Sequence, residues 1–195
     1  MKLNKAYWQT RYREKRTGWD LGEVTPPIRA YIDQLEHKDL KILIPGAGKG
    51  YEVEYLYKNG FTNLTVVDIA PYPLKHLRER LPDSFPEERL VVEDFFKLET
   101  GPYDLIVEHT FFCALPPEWR PAYASKMKEL LGAGGKLAGL FFDFPLTEAG
   151  PPFGGSREEY RSLFTPYFEI RVLERAINSI PPRAGNELFF IFENK

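Results

Sequence analysis

Cysteine is nearly absent from this chain: Cys113 stands alone in 195 residues. One thiol excludes an internal disulfide framework and a zinc site built from several cysteines, and it fits a reducing compartment. Histidine is scarce too. His37, His76 and His109 are scattered too widely for a metal-binding motif, and no metal is expected. No apolar run approaches the roughly 18 residues that a membrane span needs. No apolar stretch follows Met1-Lys2-Leu3-Asn4-Lys5, so no secretory signal is expected, and the cytoplasm is the expected location. An excess of one charge is also missing. With 26 Lys and Arg against 28 Asp and Glu, the formal net charge is -2, which gives no basic field for nucleic acid and no acidic, solvating character. No internal repeat or low-complexity linker breaks the sequence.

Apolar residues make up 43% and aromatics 15%, which is enough for a substantial core. One domain over 1–195 is expected, with 1–25 as an N-terminal lid and 26–195 as an α/β core. The opening segment is basic and aromatic, with Arg11, Arg13 and Arg16 interleaved among Tyr7, Trp8, Tyr12 and Trp19. A helix with a solvated basic face and inward aromatics explains it better than nucleic-acid contact.

From residue 26 on, helix and strand patterns alternate. Pro26 and Pro27 can open a helix, followed by Ile28, Ile32 and Leu35 at near-helical spacing. Leu40–Ile44 reads as a strand buried on both faces, as in a parallel sheet. A helix is expected over Tyr51–Asn59, ended by Gly60, then a strand over Leu64–Val67. Another helix over Pro71–Leu81 precedes strands at Leu90–Val92 and Tyr103–Glu108. The helix Pro121–Leu131 is stopped by glycines 132, 134 and 135, and Lys136–Phe142 is the next strand. A Pro/Gly loop over 143–155, a short helix at 156–164, and strands at about 168–174 and 187–193 complete the pattern. The last two strands have only a loop between them, too short a crossover for parallel neighbours, so they are expected to run antiparallel. The whole predicts a doubly wound, mostly parallel seven-stranded sheet with a terminal antiparallel strand.

The strongest chemical signal is Ile42-Leu43-Ile44-Pro45-Gly46-Ala47-Gly48-Lys49-Gly50, after the first strand and before a helix. Glycine lets backbone turn sharply and lie close to a ligand. Asp68 stands 22 residues beyond Gly46, where a carboxylate can accept both ribose hydroxyls of an adenosine. Asp94 and Phe95 follow the third strand and suit an adenine amino group and face. Lys49 is followed by Gly50 rather than Ser or Thr, so this is not a triphosphate-binding loop. Glycines at 46, 48 and 50 have the alternating spacing usual for S-adenosylmethionine, which is the expected cofactor.

Several segments carry a family resemblance. Tyr7-Trp8-Gln9, Gly18-Trp19-Asp20-Leu21-Gly22 and Thr25-Pro26-Pro27 resemble the opening of the thiopurine S-methyltransferase family. Val67-Asp68-Ile69, Glu93-Asp94-Phe95-Phe96, Phe111-Phe112-Cys113-Ala114-Leu115-Pro116-Pro117-Glu118-Trp119, Gly150-Pro151-Pro152-Phe153 and Ser179-Ile180-Pro181-Pro182-Arg183 extend it over nearly the whole chain. The halide, thiol and thiocyanate methyltransferase branch is the most similar. The resemblance implies a class I methyltransferase fold, with S-adenosylmethionine donating to a small acceptor such as a thiol, sulfide or halide anion. It implies that Trp8 and Trp19 pack over the methionine part, and that Gly46, Ala47 and Gly48 line the cofactor's backbone side. Asp68 with Ile69 would take the ribose, Asp94 with Phe95 the adenine, and the stretch from Glu108 to Phe112, Phe111 included, would lie beneath. Two departures stand out: Glu108-His109 where relatives often carry aspartate-tyrosine, and Phe142 in place of a plant-branch tyrosine.

For chemistry, the candidates are Glu108 and His109 as general base or acceptor orienter, Asp143 after the fifth strand, and Arg183 as a ligand for an anionic acceptor. Cys113 sits in an apolar run with no basic neighbour, and reads as packing. Two other readings stay open: an O- or N-methyltransferase that uses Glu108-His109 as its base, and a cofactor-binding protein without catalysis. The partner expected is a small-molecule acceptor, with the chain acting as a monomer or weak homodimer.

Overall fold

The structure is a computed structural model, and it describes residues 3–195. It holds α1 (Lys5–Arg13), α2 (Pro26–Asp33), β1 (Ile42–Pro45), α3 (Tyr51–Lys58), β2 (Leu64–Asp68), α4 (Pro71–Arg78) and β3 (Leu90–Val92). It continues with β4 (Tyr103–His109), α5 (Arg120–Leu130), β5 (Leu131–Phe142), α6 (Arg157–Phe164), β6 (Phe168–Arg175) and β7 (Glu187–Asn194). The strands form one seven-stranded sheet in the order β3-β2-β1-β4-β5-β7-β6. Five strands are linked in parallel, and β7 runs antiparallel between β5 and β6.

Burial follows from this layering. Every residue of β1 and β2 is buried, because helices cover both faces of the sheet there. One core, with Ile28, Val53, Leu56 and Leu77, lies under α2, α3 and α4. The other, with Tyr123, Met127, Phe141 and Phe164, lies under α5 and α6. Side-chain oxygens close two helix starts: Asn4 accepts from the Tyr7 amide at 3.1 Å, and Ser156 from the Glu159 amide at 3.2 Å.

The glycine run after α5 behaves differently from its sequence reading. The helix ends at Leu130, yet residues 131–135 join β5 instead of forming a loop. The pairing jumps from Tyr103↔Leu131 to Leu105↔Lys136, so the glycines make a bulge that absorbs extra residues. Gly134 has φ +71°, a conformation in which a side chain is strained.

The strand order reverses between β1 and β4, and in open α/β sheets ligands bind at such a switch point, beyond the carboxyl ends of the strands. The second core anchors the β4–β5 side of that crevice. Phe141 stacks on Phe190 with centroids 3.9 Å apart, and also touches Phe112 at 4.7 Å and Tyr160 at 4.8 Å. Phe141→Ala is expected to cost about 3–5 kcal/mol, read as a lower urea midpoint, since a ring removed from a packed core leaves a cavity.

Candidate active site

A cavity of about 520 Å3 opens at the switch point, within the range of small-molecule sites. The strand ends build its floor and α1 with the 17–22 segment builds its roof. Trp8 and Trp19 meet edge to face at 5.7 Å, and Tyr12 meets Trp19 at 5.8 Å. Lys49 of the glycine loop pairs with Asp20 of the roof at 2.5 Å.

Gly46 and Gly48 line the cavity, whereas Ala47 is buried beneath the loop. Gly46 has φ +69°, and a Cβ there would lie 2.7 Å from the Phe111 ring. Its smallness therefore serves packing against the β4 turn as well as backbone shape. Gly50 has a separate task, since a Cβ there would strike Leu77 and push α3 away from α4.

Asp68, at the end of β2, points into the cavity and is 7% exposed. Its Oδ1 accepts from the Ala70 amide at 2.8 Å. Burial pushes its carboxyl up to about 7, against the opposing pull of the Ala70, Ala47 and Gly48 amides and the Tyr12 hydroxyl. Ile69, Asp94, Phe95 and Phe111 also line the cavity. Asp94 caps the short 3-10 turn Phe95–Lys97 by accepting from the Phe96 amide at 3.1 Å. Phe96 and Trp119 meet edge to face at 5.6 Å on that side.

Glu108 lies apart from the cavity. It is fully buried and outside the cavity lining. Its Oε1 accepts from the Phe111 and Phe112 amides at 2.8 and 2.9 Å, and its Oε2 from the Tyr123 hydroxyl at 2.6 Å. It holds the turn after β4 and touches no ligand space. Burial raises its pKa, while those three donors oppose the rise.

His109 lies between two charged partners. Its Nε2 faces Arg183 Nη1 at 3.1 Å, and its Nδ1 faces Glu52 Oε1 at 2.8 Å. A guanidinium can only donate, so Nε2 accepts and Nδ1 carries the proton donated to Glu52. Burial alone would raise Glu52, but the His109 hydrogen bond and the charge of Arg183 hold it below the usual carboxylate range. The imidazole thus has no lone pair free for an acceptor proton.

Asp143 falls outside the cavity as well, because its carboxylate turns to Arg175 of β6 at 3.7 Å. Arg183 does line the cavity. Its Nη2 donates to the Trp19 carbonyl at 2.9 Å, its Nη1 pairs with Glu187 at 3.2 Å, and it lies over the Phe142 ring at 5.3 Å. Cys113 is buried at the cavity edge. Sequence reasoning missed Glu52 and the inward turn of Arg11. Glu52 sits in the first turn of α3, where an acid needs no further explanation than the helix dipole.

Glu108→Ala leaves three buried donors without a partner and is expected to cost about 3 kcal/mol or more of unfolding free energy. Glu108→Gln keeps a carbonyl for the two amides and should lose clearly less in the same urea titration.

The thiopurine S-methyltransferase family model matches residues 3–193. A probable thiol methyltransferase 2 of Arabidopsis thaliana is 31% identical over 186 residues, 92% of this chain and 81% of that protein. A thiopurine S-methyltransferase of Acinetobacter baylyi is 24% identical, covering 94% of each chain. Among solved structures, the 1,6-didemethyltoxoflavin-N1-methyltransferase of Burkholderia thailandensis, with S-adenosylhomocysteine bound, superposes with a TM-score of 0.78. It is 20% identical, and 98% of this chain and 87% of that one are covered. A TehB-like methyltransferase of Corynebacterium glutamicum, 22% identical, has a TM-score of 0.67 over 98% of each chain. The switch-point cavity, the fold and these matches agree, and the chain belongs to the thiopurine S-methyltransferase family.

Proposed function

We propose that this S-adenosylmethionine-dependent methyltransferase methylates a small thiol- or sulfide-type anion. The observation that carries the reading is that no free base faces the acceptor end of the cavity among the described residues. S-adenosylmethionine, when bound, supplies an electrophilic methyl on a cationic sulfur. An anionic acceptor then needs no proton removed by the protein. A free thiol is already a few per cent ionised near neutral pH, given a pKa of about 8.5.

Asp68 is assigned to the ribose, Asp94 and Phe95 to the adenine, and Gly46, Gly48 and Ile69 to the backbone side of the cofactor. Ala47 supports the loop through its amide. Trp8 and Trp19 close over the sulfonium, where each aromatic face attracts a cation by roughly 0.5–2 kcal/mol, and Phe111 forms the floor. The acceptor end is walled by Phe142, Cys113, Pro151, Pro152 and Arg183. Burial keeps the Cys113 thiol neutral by raising its pKa, and the charge of Glu108 adds to this. Such walls hold little water, which favours meeting of opposite charges over their separated, hydrated state. Arg183 draws the anion in.

Two observations weigh against the rival readings. O- or N-methyl transfer through Glu108-His109 lacks its base, since both side chains are committed to other partners. A binder without catalysis would fill the acceptor space with side chains, yet the cavity continues past Asp68 to Phe142 and Arg183. In the same reading the chain acts in the cytoplasm as a monomer or weak homodimer. No helix of the described residues is long and apolar enough to cross a membrane.

The test is a radiolabelled methyl-transfer screen over thiols, bisulfide, thiocyanate, iodide, catechols and amines. Turnover on sulfur or halide anions is expected, and turnover confined to hydroxyls or amines would overturn the reading. His109→Gln should lower kcat by less than about tenfold, where removal of a general base costs on the order of 10²–10⁴. Affinity for S-adenosylhomocysteine, measured by calorimetry, should rise as pH increases through about 7. Below that value Asp68 holds its proton and offers one acceptor fewer to the ribose; Asp68→Asn should abolish the dependence.

A further inference from the structure

Two guanidinium groups line the cavity, and their surroundings differ. Arg183 is matched by Glu187, and its donors reach Glu187, His109 and the Trp19 carbonyl. Arg11, from the last turn of α1, has no carboxylate within ion-pair distance among the described residues. Its Nε is buried and has no hydrogen-bond partner. Aromatic rings flank the group, with Trp19 at 5.5 Å and Tyr7 at 5.9 Å from the guanidinium carbon. A ring attracts a cation but does not replace a hydrogen-bond acceptor. The buried Nε is packed against protein; the terminal nitrogens of Arg11, which make no hydrogen bond or ion pair among the described residues, belong to a side chain that lines the cavity.

The layout of the cavity narrows the identity of the missing anion. Its acids, Asp68, Glu93 and Asp94, lie at the ends of β2 and β3. An adenosine held there leaves the rest of the cofactor to the β1–β4 side, under α1 and Trp19. That remainder is an amino acid, which carries one carboxylate. Lys49, the other nearby cation, is already paired with Asp20 at 2.5 Å. We propose that Arg11 binds the carboxylate of the cofactor's amino-acid half, which leaves Arg183 to the acceptor. The proposal rests on the cofactor site described above.

Calorimetry with S-adenosylhomocysteine and with its decarboxylated analogue tests this in the full chain. Arg11→Met keeps the aliphatic stem against Trp19 and removes the charge. Its Kd for S-adenosylhomocysteine should rise on the order of tenfold or more, and its Kd for the decarboxylated analogue by less than about twofold. Arg11→Lys, which retains the charge, should recover part of the loss. Arg183→Met should raise the KM for bisulfide and thiocyanate and affect the two analogues equally. An Arg11→Met variant that weakens both analogues alike would show that Arg11 only packs the roof, and the proposal falls. A variant that binds S-adenosylhomocysteine normally but has a raised acceptor KM assigns the anion to the acceptor and also overturns it. No change in either quantity overturns it too. If the unaltered protein binds neither analogue, the cofactor site itself is wrong and this proposal goes with it.

Discussion

The Glu108 carboxylate and its three donors organise the whole ligand side of the fold. One oxygen gathers the Phe111 and Phe112 amides and the other holds the Tyr123 hydroxyl of α5. This ties the end of β4, the turn after it and the helix beyond into one rigid unit. Thr110 accepts φ +61° inside that turn, an uncommon conformation for a threonine. Phe111 is thereby set against Gly46, and Phe112 is driven into the aromatic core beside Phe141. Opposite, Gly139 of β5 leaves the space in which the Glu108 backbone sits. A buried carboxylate with every donor in place can carry this load, because a partial set would be worse than none.

The cavity holds charges of both signs. Its lining carries acids from the ends of β2 and β3 and two guanidinium groups, Arg11 of α1 and Arg183 before β7. Between them the lining is largely aromatic. Arg183 is held by a chain of contacts that runs from Glu52 through His109, with Glu187 and the Trp19 carbonyl as further anchors. The buried ion pair with Glu187 contributes position more than stability, since two desolvated charges gain little net energy from each other. What it gives is a fixed cation beside Phe142.

Much of this was legible in the sequence, for reasons that can be named. Strand and helix alternation, the last antiparallel strand, and the glycine loop with Asp68 and Asp94 all follow from local patterns on consecutive elements. Glu108 and His109 did not. Neighbours on a strand point to opposite faces of the sheet, so a dipeptide cannot place both side chains in one site. Each found its partner on a distant segment: Tyr123 for one, Glu52 and Arg183 for the other. The surroundings of Asp143 are equally non-local, since its partner Arg175 comes from the far strand β6. Arg11 was counted as part of a solvated basic face, since only its packing against Trp19 shows that it turns inward.

The place of β7 in the sheet makes one strand answer for two pairings. The last strand in sequence is not at an edge; it fills the slot between β5 and β6. Without β7, β5 and β6 would each lose the strand they pair with on that side. Unpaired edges of that kind invite pairing with other chains. Arg183, which ties the Trp19 carbonyl across the mouth of the cavity, lies in the turn that leads into β7. Completion of the sheet and closure of the ligand site thus depend on one short segment, residues 181–194.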